Sequence, residues 1–308
     1  LEDVYTEITR SGSKTEAHET RPLDQFGYLR GSSPAMHKLF RILRKVAPTD
    51  ASVLLVGESG TGKELAARTL HQLGDVAAGP FIAMNSGAIP KELFESELFG
   101  HEKGSFSGAE QQHRGFFERA AHGTLFLDEL TEMPIELQAK LLRVLEAGAF
   151  RRVGGETDIE GNARIVAATN RIPEDAINDG MLREDLYYRI ARFPIWLPPL
   201  RNRGADIQGL ARFFLQNLNT KNDTAVTIGA PALEELQSHT WPGNVRELRS
   251  AIEQAYILAD SEIASEHLPN LQEQLHQEQL RISVGESIED AEKKLIFATL
   301  EVNDGDKK

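Results

Sequence analysis

The sequence predicts an α/β fold in which helices flank a parallel sheet and a small helical subdomain follows. Three features predict it: short apolar runs bounded by turn residues, helical periodicity between those runs, and the loss of strand patterns after the Leu-Pro-Pro-Leu segment at 197–200. Continuous apolar strands are typical of a parallel sheet that is covered on both faces. The predicted strands are 53–56, 125–127, 165–168 and 193–197.

Helical periodicity accounts for most of the remaining chain. One apolar stripe comprises Leu137, Leu141, Val144 and Leu145, and a less regular one comprises Leu65, Leu70 and Leu73. Beyond residue 200 the predicted helices are 207–218, 233–236 and 245–259. We therefore expect an α/β subdomain at 26–200, a helical subdomain at 201–270, a helix end and linker at 1–25, and a linker with the start of a further domain at 271–308.

Composition excludes several classes of function. The 308 residues are 40% hydrophobic, which is enough for a substantial core, and the net charge of −13 argues against non-specific nucleic-acid binding over the whole surface. The chain has no cysteine, which excludes disulfides, thiol catalysis and zinc sites with cysteine ligands. Its nine histidines show no spacing typical of metal ligands. Because no apolar run approaches the roughly 20 residues that span a bilayer and no signal peptide is evident, we expect a cytoplasmic protein without membrane contact.

A phosphate-binding loop follows the first predicted strand. Its residues are Gly57, Glu58, Ser59, Gly60, Thr61, Gly62, Lys63 and Glu64. The glycines let backbone N–H groups surround phosphate, Lys63 neutralises phosphate charge, and the helix that begins there directs its positive dipole end at the same anion. Glu64 stands where Ser or Thr commonly places a hydroxyl on magnesium, so metal binding must depend on other groups.

Two carboxylates at the end of the second strand supply such groups. Asp128 is expected to hold Mg²⁺ directly or through water, and Glu129 is expected to orient and deprotonate the water that attacks the γ-phosphate of ATP. The alternative is a buried strand followed by a solvated acidic turn. The phosphate-binding loop upstream favours the catalytic interpretation, so ATP hydrolysis is the leading hypothesis.

Four segments in this order resemble the sigma-54 activator family of AAA+ proteins, the bacterial enhancer-binding proteins. They are GESGTGKE at 57–64, ESELFGHEKG at 95–104, GTLFLDE at 123–129 and WPGNVREL at 241–248. The resemblance extends from about Leu29 to Leu268 and makes Glu64 a family feature. It implies an AAA+ P-loop fold with a helical subdomain, and an ATP-driven homo-oligomer, a hexamer in action and a dimer at rest.

The resemblance also implies roles for residues at strand ends. Asn85 matches the residue that restrains the catalytic glutamate, here Glu129, and an amide suits this because it bonds a carboxylate without titrating. Thr169 and Asn170 match a polar sensor of the γ-phosphate. The alternative for these two residues is a simple turn at the end of a strand.

Three arginines match nucleotide-reading positions of the family. Arg183 and Arg189 match arginine fingers that reach the ATP of a neighbouring protomer, and Arg246 matches a sensor in the helical subdomain. The alternatives are surface salt bridges for the first two and an ordinary helix-surface arginine for the third.

A glycine-flanked aromatic resembles the family's GAFTGA loop. The loop consists of Gly104, Ser105, Phe106, Ser107, Gly108 and Ala109 and departs from the family pattern at its two serines. The resemblance implies that Phe106 presses on sigma-54 RNA polymerase holoenzyme, whereas the alternative is a flexible turn with an incidental aromatic.

The chain ends are expected to adjoin other domains. Residues 287–300 resemble the first helix of a Fis-like DNA-binding domain, so we expect enhancer DNA to be bound only through the rest of that domain, and the start at Leu1 predicts a fragment that follows a regulatory domain, with a two-component receiver as the first hypothesis. Two rival functions remain. An unfoldase or helicase is disfavoured by the Phe106 loop, and a nucleotide-binding regulatory module that does not act on sigma-54 is disfavoured by Lys63, Asp128 and Glu129.

Overall fold

The computed structural model describes residues 23–269. This part of the chain divides into two compact units, one formed by 23–213 with 240–248 and the other by 214–239 with 249–269. The helix end predicted before residue 11 and the helix predicted at 287–300 lie outside the described residues.

The elements alternate between strand and helix through most of the first unit. The strands are β1 (Gln25–Phe26), β2 (Leu29–Arg30), β3 (Val53–Val56), β4 (Phe81–Asn85), β5 (Thr124–Asp128), β6 (Ala149–Phe150), β7 (Ile159–Glu160), β8 (Arg164–Thr169), β9 (Phe193–Trp196), β10 (Thr227–Ile228) and β11 (Glu262–Ile263). The helices are α1 (Pro34–Val46), α2 (Lys63–Gln72), α3 (Lys91–Phe99), α4 (Phe116–Arg119), α5 (Ile135–Ala147), α6 (Pro173–Asn178), α7 (Glu184–Ile190), α8 (Ile207–Asn222), α9 (Ala230–Ser238) and α10 (Asn244–Leu258). Within residues 23–269, 3₁₀ segments lie at Ser86–Ala88, Leu130–Glu132, Leu200–Asp206 and Ser265–His267.

Five parallel strands form the central sheet in the order β4-β5-β8-β3-β9. Their register pairs Asn85 with Asp128 and Val56 with Thr169. Because parallel strands end at the same edge, this register gathers the polar residues that follow the apolar runs. The predicted fold class, a parallel sheet between helices, is confirmed.

The three inner strands, β3, β5 and β8, are buried on both faces, which explains why they read as unbroken apolar runs. Successive residues of β3 enter opposite cores: Leu54 and Val56 pack with α5, whereas Val53 and Leu55 pack with α1 and α2. Strand β5 divides in the same way, with Phe126 facing the second core. At roughly 25 cal/mol per Å² of apolar surface, these two layers dominate the free energy of folding.

Helix boundaries follow local chemistry. Ser33 caps α1 by accepting a hydrogen bond from the Met36 N–H, and Pro34 occupies the first turn, where no backbone donor is needed. Helix α5 is capped at its C-terminus by Gly148, whose φ of 68° lies in the left-handed region that favours glycine.

The apolar stripe predicted for α2 is wrong in two of its three positions. Leu70 is buried, but Leu65 and Leu73 are each 43% exposed. The helix packs through Ala66 and Ala67 instead, because these small residues share a face with Leu70 at the spacing of one helical turn.

The second unit is mainly helical, as predicted after residue 200, but it also contains a short parallel strand pair. Thr227 pairs with Glu262 and Ile228 with Ile263. Two residues are too few for an apolar periodicity, so the sequence could not reveal this pair. Within residues 23–269, no helix is both long and apolar enough to span a membrane.

Candidate functional site

The loop between β3 and α2 forms a tight turn around its own backbone. Gly60 and Gly62 have φ values of 78° and 101°, and a Cβ on Gly60 would lie 2.2 Å from the Gly243 carbonyl. Lys63 Nζ donates to the carbonyls of Gly57 and Glu58 at 2.7 and 3.1 Å. The conformation therefore requires the glycines and places the lysine charge inside the turn.

Two carboxylates end the neighbouring strand β5. Glu129 has a φ of 54°, an uncommon value for a side chain other than glycine, and its N–H donates to Asp128 Oδ1 at 3.0 Å. Such strained residues cluster at functional sites. The turn aims the two carboxylates from consecutive positions at one edge of the sheet.

Burial and mutual charge set the protonation of this edge. Burial raises the pKa of Asp128, and the nearby Lys63 ammonium partly offsets that rise. Burial likewise lowers the pKa of Lys63, opposed by the charges of Asp128 and Glu129. Each group is thus held in a less polar environment that favours its neutral form, which is typical of sites built to receive a charged ligand.

Asn85 and Glu129 meet at Gly87. The Gly87 N–H donates to Asn85 Oδ1 at 2.8 Å, and a Cβ on Gly87 would lie 2.6 Å from Glu129 Oε2 and 3.3 Å from Asn85 Oδ1. The glycine therefore leaves space for both side chains. The Asn85 amide oxygen and the Glu129 carboxylate thus both lie close to Gly87.

Thr169 and Asn170 divide into a buried and an exposed residue. Thr169 is fully buried; its Oγ1 accepts from the Arg171 N–H at 3.1 Å, and its carbonyl accepts from the Gly57 N–H at 3.2 Å. Asn170 is exposed. Of the two, Asn170 is available to a ligand, and Thr169 ties β8 to the start of the phosphate-binding loop.

The first turn of α10 contacts the same loop. Arg246 donates to Ser59 Oγ at 3.0 Å, and the Val245 N–H donates to the Gly60 carbonyl at 3.1 Å. The Arg246 charge also contributes to lowering the pKa of Lys63. The structure thus brings Arg246, Lys63, Asp128 and Glu129 together.

Two residues of this site had not been identified from the sequence. Asn244 is fully buried and donates to Glu58 Oε2 and the Ser59 carbonyl at 3.1 and 3.0 Å. Arg201 forms a two-pronged ion pair with Glu58, and its hydrogen bond is the main cause that lowers the pKa of Glu58. Asn244 lies inside the WPGNVREL segment, which was its only signal, whereas nothing in the sequence links Arg201 to a residue so far upstream.

The other two arginines lie elsewhere. Arg183 pairs with Asp185 at 3.0 and 2.8 Å, and Arg189 donates to the Leu145 carbonyl. Arg183 precedes α7 and Arg189 lies in its last turn. The hydrogen bonds and ion pairs that we find for their side chains within residues 23–269 involve no residue of the phosphate-binding loop.

The loop at 104–109 projects from the segment between α3 and α4. Gly104 and Gly108 have positive φ values, with open space where a Cβ would lie. Phe106 is 40% exposed, and its ring meets His101 edge-on at a centroid distance of 4.9 Å. Arg152 braces the base through Glu102 and Glu118 at 2.7 and 2.8 Å.

Metal binding rests on few donors. Within the described chain, no group of three or more His, Cys, Asp or Glu side chains could hold an ion unaided. A single carboxylate beside a phosphate-binding loop nevertheless fits Mg²⁺, which binds through one or two carboxylates together with substrate phosphates and water. Asp128 is such a carboxylate, and its nearness to Lys63 is consistent with a shared phosphate ligand.

Comparisons with known proteins identify the family to which the chain is similar. Residues 29–196 match the sigma-54 interaction domain, and 201–283 match the AAA+ ATPase lid domain. The DNA-binding transcriptional regulator NtrC of Azospirillum brasilense is 48% identical over 248 residues, which cover 80% of this chain and 50% of that protein. The regulatory protein AtoC of Escherichia coli (strain K12) is 45% identical over 296 residues, covering 92% and 64%.

A solved structure has the same fold. The crystal structure of NtrX from Brucella abortus in complex with ATP superposes with a TM-score of 0.73 at 35% identity, covering 90% of this chain and 64% of that one. The chain spans about half to two thirds of the length of the relatives described here. With more than half of its residues matched, the chain belongs to the sigma-54 interaction domain family of AAA+ proteins.

Proposed function

We propose that this chain is an Mg²⁺-dependent ATPase that remodels sigma-54 RNA polymerase holoenzyme as a ring of identical protomers. The observation that carries the proposal is the convergence of Lys63, Asp128, Glu129 and Arg246 on one phosphate-binding loop. ATP bound by the related NtrX supports the choice of nucleotide. If no assembled form of the chain hydrolysed ATP, the proposed ATPase function would be wrong.

Each side chain has a defined task in hydrolysis. Lys63 and the loop N–H groups bind phosphate, and Asp128 holds the metal or its water. Glu129 accepts the proton of the attacking water, and Asn85 keeps that carboxylate in place until nucleotide is bound. Bound Mg-ATP supplies the phosphoryl bond that is broken and the metal charge that offsets the charge of the phosphates.

Asn170 and Arg246 are the two residues proposed to sense the bound nucleotide. Asn170 and Arg246 are exposed at the same sheet edge and can donate to phosphate oxygens. In the structure Arg246 donates to Ser59 Oγ. We propose that it exchanges this bond for one to phosphate, because a charge-assisted hydrogen bond to phosphate is stronger than one to a hydroxyl.

The separate position of two arginines supports the proposed ring. Arg183 and Arg189 contact α7 and α5 rather than the phosphate-binding loop of their own protomer. We propose that they complete the site of a neighbour, so that turnover requires assembly. A hexamer is proposed for the active form and a dimer for the resting form.

The loop at 104–109 is the proposed contact with sigma-54. Its glycines have open space around them, and Phe106 presents a partly exposed ring at the tip. Ser107 retains the hydroxyl of the family pattern but lacks its methyl group.

We also propose a cytoplasmic location, subdomains at 26–200 and 201–270, and enhancer DNA contact only through a further domain.

A promoter-melting assay tests the sigma-54 assignment. Phe106→Ala should retain ATP turnover within about twofold, because the ring contact that we find for this side chain is with His101 rather than with the phosphate-binding loop. Open-complex formation on a sigma-54 promoter should fall at least about tenfold. Ser107→Thr, which restores the family residue, serves as the matched control and should melt the promoter at least as well as the unmodified chain. Unmodified chain that hydrolyses ATP but never melts a sigma-54 promoter would favour a regulatory module instead.

A further inference from the structure

A buried glutamine lies between the two halves of the proposed catalytic machinery. Gln138, on α5, is fully buried, although glutamine is a residue type mostly found at the surface. Burial of an amide costs free energy unless its donors and acceptor are bonded. Its partners are therefore informative about why it is there.

Both N–H donors and the oxygen of this side-chain amide form hydrogen bonds. Its Nε2 donates to the Met133 carbonyl at 2.9 Å and to the Met181 carbonyl at 2.8 Å, and its Oε1 accepts from the Arg183 N–H at 2.9 Å. Such a set specifies one geometry, because a shift of either backbone segment would leave a buried polar group unpaired.

The bonded segments are the ones that carry catalytic candidates. Met133 ends the 3₁₀ turn that begins directly after Glu129, and Arg183 is the residue before α7. Helix α5 holds the second arginine as well, because Arg189 donates to the Leu145 carbonyl. Helix α5 therefore contacts the turn that follows Glu129, which belongs to the ATP site of its own protomer. It also contacts Arg183 and Arg189, which are assigned to the ATP site of a neighbouring protomer.

We propose that Gln138 is a positioning residue that fixes the arginine-finger segment at Arg183 against the turn that follows Glu129. This inference rests on the proposed function, since it requires the fingers to act on a neighbouring protomer. Gln138 touches no nucleotide. It sets where the Arg183 backbone lies, and so where its guanidinium can reach.

The first test measures ATP turnover and nucleotide affinity in a Gln138 variant. In Gln138→Met the apolar side chain keeps a similar length but loses all three bonds, and turnover of the assembled protein should fall at least about tenfold, as expected for a misplaced catalytic group. Nucleotide affinity should stay within about twofold, because Lys63 and Asp128 are untouched. Glu136→Met, an exposed change on the same helix, should leave turnover unaltered.

Mixing two defective chains separates positioning from general damage. Glu129→Gln lacks its own catalytic carboxylate but offers a sound arginine, whereas Gln138→Met offers a sound carboxylate but a displaced arginine. Mixed rings should therefore regain turnover, to about a quarter of the unmodified rate for random mixing of equal amounts. A glutamine that only stabilises the fold would not produce recovery that depends on the partner.

The mixture of Arg183→Ala with Glu129→Gln is the reference. If this reference recovers and the Gln138→Met mixture does not, the positioning role is wrong while the proposed ring stands. If the reference itself stays inactive, the trans arginine and the inference built on it both fail.

Gln138→Glu covers the case in which Gln138→Met does not fold, as judged by thermal unfolding. The glutamate keeps an oxygen for the Arg183 N–H but, as a carboxylate, loses both donors to the Met133 and Met181 carbonyls, so its rate alone should also fall well below that of the unmodified chain. The same mixture with Glu129→Gln should recover turnover, and failure to recover beside a working reference would overturn the proposal.

Discussion

At the scale of single residues, burial at the sheet edge shifts Lys63 and Asp128 towards their neutral forms. Burial is the largest cause for both pKa changes, and the attraction between the two groups only partly opposes it. A ligand that carries phosphate and metal charge would restore the ionised forms of both groups.

The pH dependence of kcat/KM for ATP should reflect these shifts. Metal binding needs the Asp128 carboxylate, which protonates as pH falls through its raised pKa, so the acid limb should lie above the ordinary value of about 3.9. Phosphate binding needs the Lys63 ammonium, which deprotonates as pH rises through its lowered pKa, so the alkaline limb should lie below about 10.4. A profile that is flat between those two ordinary values would contradict both assignments.

Asn244 should be the most sensitive residue of the loop contact. Asn244→Ala removes an amide that accepts from the Leu200 N–H at 2.7 Å and donates to Ser59, and it places alanine at a φ of 55°. We expect the free energy of unfolding to fall by about 2–4 kcal/mol. Asn244→Gly loses the same bonds without the backbone strain, so it should be less destabilised by about 1 kcal/mol. Equal urea midpoints for the two variants would show that the strain is not significant.

At the scale of elements, the apolar runs predicted the inner strands β3, β5 and β8 well, because strands buried on both faces contain little else. The order of the strands and the register of Asn85 with Asp128 could not be predicted, since they depend on pairings distant in the sequence. Gln138 was also missed. A polar residue within a helical stripe resembles a solvated position until its distant partners are known.

The 3₁₀ turn after β4 offers a test of this register. Gly87→Ala would place a Cβ 2.6 Å from Glu129 Oε2. Because that carboxylate is the end of a flexible side chain, we expect it to move aside while the turn stays folded. We expect turnover to fall at least about tenfold with little change in the melting temperature. Ala88→Ser, an exposed change in the same turn, is the control. Normal turnover in Gly87→Ala would mean that the position of Glu129 at Gly87 is not the catalytic one.

At the scale of the whole molecule, the family motifs were the most informative part of the sequence. The phosphate-binding loop and the carboxylates were predicted from their own residues, and the family motifs added Arg246, which the structure brings together with them. The motifs also predicted Arg183 and Arg189 as arginine fingers, and these two residues lie apart from that loop. Separate placement is what a site shared between protomers requires. The sequence of one chain cannot show the partner copy, so the trans role depends on experiment.

The most direct test of this account is ATP turnover measured against protein concentration for the unmodified chain, Glu129→Ala and Arg183→Ala. Turnover per protomer should rise cooperatively as rings assemble and should be lost in both variants. Their equimolar mixture should regain activity, because each variant supplies the group that the other lacks. Turnover that is independent of concentration, or that survives in Arg183→Ala, would contradict a ring ATPase with sites shared between protomers.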